Sequence, residues 1–509
     1  MKFFYRRTDV QKHSLITALI FISFISVTEI SAQAKLTKNP KPDFSKAKKL
    51  INEQLDTNKV PSISIAVIKN GKILWEESFG LADKEHNVKA NIHTSYYLAS
   101  LSKSITATAI MRLCEENLIN LNSPVNKYLK NVKVSSFLWN VDSATIQKLL
   151  NHTSGLTSYH RDCYLSETSC HESIDSAIQR YGIIFWEPGN HFDYSNLGYG
   201  ILGKVISDVS NKSFSNYLQS QLFTPLGMQN SFLGTSLNYK NIAARYNSDS
   251  LRSRTSDVIS YTPGASSVYS SVDDLAKFAM LYLKDQVIGG TKILSDKSID
   301  YMQYTVVSTG DANRFHGSGW SINTNYYGFK AVTSQGGTSD ANAWLRMIPS
   351  ENVAVIFLTN TGISGDICTN IINETFSSVL PKFRQNVASY QRTDTHAQTF
   401  PISDSLYGTW KGKIHTYKKD IDITISLSKE GNNFVTLEDG NPLKISNLEF
   451  NERLFFDIFG DLHVDDTETA PYKMGFELTQ LENKLYGAIT ANAKAQLPFW
   501  VEVNRIGQN

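Results

Sequence analysis

The hydrophobic rhythm of this chain changes once, and the change constrains its architecture more than any other feature. Past residue 405 apolar residues fall at every second position, as in Ile421, Ile423, Ile425 and Leu427, and again in Phe499, Val501 and Val503. A period of two puts those side chains on one face of an extended strand, so residues 405–509 read as antiparallel strands. Ahead of them helical spacing and strand patterns alternate. A chain of 509 residues also exceeds the length over which a single hydrophobic core usually grows. The expectation is a mixed α+β domain over residues 44–381 and a small all-β domain over 405–509, joined by the polar, Gln- and Thr-rich linker 382–404.

The first residues follow a different logic. Lys2, Arg6, Arg7 and Lys12 precede an apolar run from Leu15 to Val27, which ends near the small-residue tripeptide Ala32-Gln33-Ala34. That is the layout of a secretory signal peptide, residues 1–34, cleaved after Ala34 or Ala32. The run is shorter than the roughly 20 residues that span a bilayer. We therefore expect a periplasmic or secreted protein with a short tether at 35–43 and no stable membrane span after cleavage. Lys plus Arg number 50 against 48 for Asp plus Glu, and they are scattered, which argues against a nucleic-acid partner. Cys163 and Cys170 lie close together in a polar segment and are expected to pair as a disulfide in an oxidising compartment, the alternative being two unpaired thiols. Cys114 and Cys368 sit in apolar helical patterns and read as inert buried thiols. No cysteine stands at metal-ligand spacing from a histidine, so no metal site is expected.

Within the first domain, a helix is expected around Phe44 to Leu55, then strands Ser62 to Lys69 and Lys72 to Phe79 joined at Asn70-Gly71, the strongest short hairpin signal. Ile105, Ala109 and Leu113 recur at helical spacing after Ser100, and a mostly helical stretch runs on past Met228. Strands return at Lys330 to Ser334, Ala341 to Ile348 and Val353 to Leu358, and a helix from Asp366 to Val379 closes the unit.

Chemistry centres on Ala99-Ser100-Leu101-Ser102-Lys103-Ser104. A serine hydroxyl is a weak nucleophile and needs a base beside it. If Ser100 opens a helix, Lys103 lies one turn on and faces the same side, and burial lowers its pKa toward a useful value. Ser-x-x-Lys alone carries little weight, because Ser45 to Lys48 and Ser426 to Lys429 match it too; only Ser100 follows strands and begins a mostly apolar helix. A second group, Phe192-Asp193-Tyr194-Ser195-Asn196, offers a proton-shuttling phenol and an orienting amide. Trp186, Phe192, Tyr199 and Trp320 are pocket or core aromatics, and Glu187 reads as a turn residue.

Taken in order, Val60-Pro61 through Gly71-Lys72, Ser100 to Lys103, Leu149 to Leu156, Glu187-Pro188-Gly189 through Asn196, Pro225 to Met228, and Ser270 to Ala276 resemble the class C β-lactamase and penicillin-binding-protein-like superfamily of serine hydrolases. The resemblance spans about Phe44 to Leu380. It implies a β-lactamase/transpeptidase-like antiparallel sheet flanked by helices, with a helical insertion. It also implies a Ser100 nucleophile, Lys103 and Tyr194 as its proton-handling pair, Asn196 in the second motif, and no metal or organic cofactor. The third motif, a Lys- or His-led triplet, falls on Gln335-Gly336-Gly337, with the Ser100 and Thr338 amides as oxyanion donors. His152 is placed structurally, against a Ser-His-Asp reading with Asp142 or Asp162. Gly408-Thr409-Trp410-Lys411-Gly412 resembles the opening of small lipocalin-like barrels. The implied activity is acyl transfer through a Ser100 acyl-enzyme on a peptide or ester, on a small-molecule or peptide substrate of cell-wall origin or otherwise. The alternatives are a D-Ala-D-Ala carboxypeptidase or weak β-lactamase, and a slow penicillin- or peptidoglycan-binding protein.

Overall fold

Asn70 and Gly71 both take positive φ, 51° and 69°, and reverse the chain between the first two strands as a two-residue hairpin requires. The computed structural model describes residues 41–57, 60–164, 173–234, 241–247, 249, 258–285, 290–389, 400–467 and 470–506. The signal peptide, nearly all of the tether and Cys170 lie outside the described residues, as does the Cys163 side chain, and with them the expected disulfide.

The N-terminal part is built on a sheet of nine strands among the described residues. They are β1 Ser62–Lys69, β2 Lys72–Asp83, β3 Val88–Lys89, β4 Val307–Ser308, β5 Arg314–His316, β6 Ser321–Tyr326, β7 Phe329–Thr338, β8 Ala341–Ile348 and β9 Val353–Thr359, in the order β4-β5-β6-β7-β8-β9-β1-β2-β3. Every pairing is antiparallel, including β1 with β9, where Ile63 faces Thr359 and Lys69 faces Val353.

Strand β1 is buried on both faces, and its period of two divides the interior. Ile63, Ile65 and Val67 face a layer made by helices α1 (Ser45–Asp56) and, later in the chain, Gly365–Val379, with Ala47, Ile51, Ile371, Ile372 and Phe376. Ala66 and Ile68 face the other layer, which holds α2 (Ser102–Glu115), α3 (Asn196–Ser210) and α4 (Val272–Tyr282); the helix Gly365–Val379 is α5. Ser62 and Ser64 are buried on the strand as well, and both are satisfied by the Tyr96 hydroxyl, which donates to Ser62 Oγ at 3.0 Å and accepts from Ser64 Oγ at 3.1 Å. Helix α2 is buried along nearly its whole length, so its polar residues find partners inside: Thr106 donates to Gly264 O and Ser104 to Ser334 Oγ. Cys368 is buried on α5 and Cys114 half-buried on α2, and burial pushes both thiols up to about 12.

A helix, α6, spans Pro381–Ser389 where the linker was expected to begin, and its Phe383 packs into the α1/α5 layer. Residues 390–399 are not described. The C-terminal part follows as β10 Gly408–His415, β11 Asp420–Leu427, β12 Phe434–Leu437, β13 Leu443–Lys444, β14 Ser446–Asn451, β15 Arg453–Gly460, β16 Tyr472–Leu481, β17 Lys484–Asn492 and β18 Gln496–Arg505. These pair as β13-β12-β11-β10-β18-β17-β16-β15-β14, a nearly closed up-and-down barrel in which the first strand, β10, meets the last, β18. Ile421, Ile423, Ile425 and Leu427 point into it and are buried with Val501 and Val503.

From Pro42 onward the described chain forms one compact unit. The barrel docks through Tyr486, Ala488 and Trp500, which bury Phe185 and Trp186 of the N-terminal part. Beside them Asp466 takes ion pairs from Arg161 and Arg180, each at 3.0 Å, and a hydrogen bond from the Tyr181 hydroxyl. Among the described residues no helix is long and apolar enough to cross a membrane.

Candidate active site

Ser100 sits in a 3-10 turn, Ala99–Leu101, that feeds directly into α2. Ala99 holds φ at +44°, a conformation that costs a non-glycine residue on the order of 1 kcal/mol and aims the next side chain out of the turn. Ser100 faces a cavity of about 560 Å³ between the β5–β8 end of the sheet and the helical layer.

Lys103, one turn along, is only 4% exposed. Its Nζ lies 3.1 Å from Ser100 Oγ, 2.8 Å from Asn196 Oδ1 and 3.0 Å from the Ala265 carbonyl oxygen. Burial holds its pKa well below the ordinary lysine value. An ammonium has three N–H donors and finds three acceptors here; a neutral amine has two, which Asn196 and Ala265 take, leaving its lone pair for the Ser100 hydroxyl.

Tyr194 reaches the same serine from the other side, its hydroxyl donating to Ser100 Oγ at 2.9 Å while the ring stays 40% exposed at the mouth of the cavity. Lys103 Nζ lies 4.7 Å from the centre of the ring. Desolvation pushes the phenol up to about 12, so it is protonated at neutral pH. Ser195 caps α3 by accepting from Gly198 N–H at 2.9 Å, which fixes Tyr194 just before the helix and Asn196 in its first turn.

His152 supports this loop. Its Nδ1 accepts from the Ser195 amide at 3.0 Å, its carbonyl accepts from Asp193 N–H at 2.8 Å, and its ring lies 4.5 Å from that of Tyr194. Burial and the neighbouring His316 keep it neutral, with its pKa well below the usual histidine range. None of these contacts goes to Ser100.

The sheet edge differs from expectation by one residue. Ser334 and Gly336 point toward α2: Ser334 meets Ser104, and a Cβ on Gly336 would lie 2.1 Å from the Leu98 carbonyl oxygen and 2.6 Å from the Ser100 nitrogen. Gln335 therefore projects to the opposite face, where it is exposed and lines the cavity rim. The wall includes Gly337 but not Thr338, whose hydroxyl turns away to Asp340 at 2.7 Å. The stretch that packs on the Ser100 turn is thus Ser334 to Gly336, and Gly337 rather than Thr338 lines the cavity.

Of the expected aromatics, Phe192 lines the cavity, Trp186 is under the barrel, and Tyr199 and Trp320 are core. Glu187 accepts from Asn190 in its turn. Three neighbours escaped the sequence reading. His316 lines the cavity 4.8 Å from His152, its pKa lowered to about 3 by burial. Ala265 contributes only a backbone oxygen, and Arg453 reaches the site from the barrel, 260 residues from its partner Asp193. None of the three carries a local motif. Among the described residues no three His, Cys, Asp or Glu side chains gather as a metal site.

The Beta-lactamase family profile matches residues 47–370. Protein flp of Staphylococcus aureus (strain NCTC 8325 / PS 47) is 26% identical over 385 residues, 74% of this chain and 70% of its own. Among solved structures, the octameric penicillin-binding protein homologue from Pyrococcus abyssi superposes with a TM-score of 0.55 at 22% identity, covering 90% of this chain and all of its own. A class C β-lactamase superposes with a TM-score of 0.54 at 19% identity over 66% of this chain and 97% of its own. At these identities the structural likeness is one of fold.

Proposed function

The chain belongs to the Beta-lactamase family of serine hydrolases, and on that premise we propose that it is an exported acyl-transfer enzyme that hydrolyses a small ester or peptide bond through an acyl-enzyme at Ser100. The observation that carries this reading is the bracketing of Ser100 Oγ by Lys103 Nζ at 3.1 Å and the Tyr194 hydroxyl at 2.9 Å. The apolar run at Leu15 to Val27 with basic residues ahead of it supports export.

In acylation, neutral Lys103 takes the Ser100 proton as Oγ attacks the substrate carbonyl carbon. The Ser100 and Gly337 amides, both on residues that line the cavity, serve as the oxyanion donors in this reading. Tyr194 then passes its proton to the leaving alcohol or amine and recovers one from Lys103, which returns the pair to its starting state. Water enters the vacated leaving-group position, gives up a proton along the same route, and releases the acid and Ser100.

The substrate is uncharged at its acyl side, for the two charges on the cavity rim, Arg314 and Asp311, pair with each other at 3.7 Å. Ser334 and Gln335 carry no charge where the superfamily resemblance implies a Lys or His. Arg346 does not replace it: it is 8% exposed, donates to Thr333 Oγ1 at 3.2 Å, and stacks on Tyr326 and Trp344. Measuring kcat/KM on p-nitrophenyl esters, D-amino-acid amides, D-Ala-D-Ala peptides and nitrocefin tests the reading. Turnover of neutral esters or amides that Ser100→Ala abolishes supports it; no turnover of any member would contradict it.

A further inference from the structure

The loop that delivers Tyr194 is held at both ends by one residue of the barrel. Arg453, at the start of β15, stacks its guanidinium 4.1 Å from the centre of the Trp186 ring, where the loop begins. The same group pairs with Asp193 Oδ1 at 3.2 Å, where the loop ends and Tyr194 follows. Glu477 on the adjacent strand β16 accepts from it as well. Arg453 is 8% exposed, and Asp193 Oδ2 is buried with no partner among the described residues. Gly487 on β17 closes the clamp, since a Cβ there would lie 2.9 Å from Trp186 Cη2.

We propose that Arg453 is a positioning residue for catalysis: the barrel, through Arg453, Asp193 and Trp186, sets the place of the Tyr194 hydroxyl over Ser100. This inference rests on the reading of Tyr194 as a proton-handling residue. Its physical basis is a half-buried carboxylate, one oxygen of which is shut from water, next to the catalytic phenol. With Arg453 present the carboxylate is paired and fixed. Without it Asp193 is an uncompensated charge that must rotate toward water or stay and act on the site, and either outcome moves the segment bearing Tyr194. The titratable groups facing Lys103 are Tyr194, Tyr199, His152 and His316; those facing Asp193 are Arg453 and Glu477. None of the former is an anion at neutral pH, so an unpaired Asp193, one residue from Tyr194, would add negative charge to the loop that borders the site and would favour the Lys103 ammonium.

The test uses the full chain with p-nitrophenyl acetate as probe, and compares wild type, Arg453→Met, Arg453→Lys, Asp193→Asn/Arg453→Met and Tyr194→Phe. Arg453→Met should lower kcat by about 10- to 100-fold, the scale of a small misplacement of a reacting group, with KM little changed. Its acid limb of kcat/KM should move to higher pH. The double variant, which removes one of the two carboxylates that Arg453 pairs and leaves Glu477, should recover part of the kcat and return the limb. Arg453→Lys keeps the charge but not the planar stack, so kcat should fall while the limb stays; this variant decides the matter should Arg453→Met not fold. Wild-type kcat in Arg453→Met or Arg453→Lys, or a double variant as impaired as Arg453→Met, would overturn the inference while leaving the role of Tyr194 intact. Full activity in Tyr194→Phe would overturn the reading beneath it.

Discussion

Gly336 lies so close behind Ser100 that a Cβ there would come within 2.6 Å of the serine nitrogen. The strand thus backs directly onto the turn that carries Ser100, the proposed nucleophile, where the proposed mechanism needs its oxyanion donors. Gly336→Ala must push the strand and the turn apart, because the clash is with backbone atoms that cannot rotate away. We expect a loss of about 10²-fold in kcat/KM, comparable to removing one oxyanion donor. Kinetics on a neutral ester, alongside a thermal melt to confirm folding, checks this. An alanine variant with wild-type turnover would mean that the strand does not form the oxyanion site.

Lys103 and Tyr194 titrate in opposite directions from their ordinary values, and this fixes the pH profile. Activity should rise as Lys103 loses its proton, with a midpoint well below the lysine reference of 10.5. Tyr194, pushed up to about 12, should impose no fall through the alkaline range below that value. A profile with its only rise near 10.5 would show that Lys103 is not desolvated in the working enzyme.

The same lysine carries a stability cost with a defined sign. Its folded-state pKa is lower than its unfolded one, so between the two values the unfolded chain binds the extra proton and stability rises with pH. Lys103→Met removes a buried ammonium. The Tm of the variant minus that of wild type should be greatest at low pH and shrink as the pH approaches 10.5. A difference independent of pH would contradict the buried-ammonium account.

How much of this was legible in the sequence depends on how local each signal is. The Asn70-Gly71 hairpin, the alternation at Ile421 to Leu427 and the apolar stretch Ile65 to Ile68 of β1 are written in neighbouring residues, and their strands lie where that pattern puts them. Ser100, Lys103, Tyr194 and Asn196 were nameable because two short motifs carry them, and the structure brings all four together. The register of the third motif was not, because Gln335-Gly336-Gly337 and Ser334-Gln335-Gly336 differ only in which face of the strand meets α2. Arg453 and Asp466 were invisible, since an ion pair between a barrel and a loop hundreds of residues away leaves no pattern in either segment.

Because the barrel buries Phe185 and Trp186 and gives Arg161 and Arg180 a shared carboxylate partner in Asp466, ending the chain after Ser389 should expose an apolar face with more net positive charge. Each fully exposed large side chain costs about 1.5–3 kcal/mol. The fragment should melt lower than the full chain and bind a hydrophobic dye. Equal melting temperatures would show that the interface contributes little.

Charge at the sheet edge should govern selectivity. Gln335→Lys places an ammonium on the cavity rim, and a charge-assisted hydrogen bond is roughly twice as strong as a neutral one. The ratio of kcat/KM for a carboxylate-bearing substrate to that for a neutral ester should rise by about tenfold, equivalent to about 1.4 kcal/mol. An unmoved ratio would take Gln335 out of substrate recognition.

The account stands or falls on a covalent bond to one oxygen. Intact-mass measurement of the purified chain after treatment with a fluorophosphonate should show a single adduct, mapped to Ser100 by peptide sequencing, absent in Ser100→Ala and slowed by orders of magnitude in Lys103→Ala. Labelling that persists in Ser100→Ala, or an adduct mapped to any other residue, would contradict it.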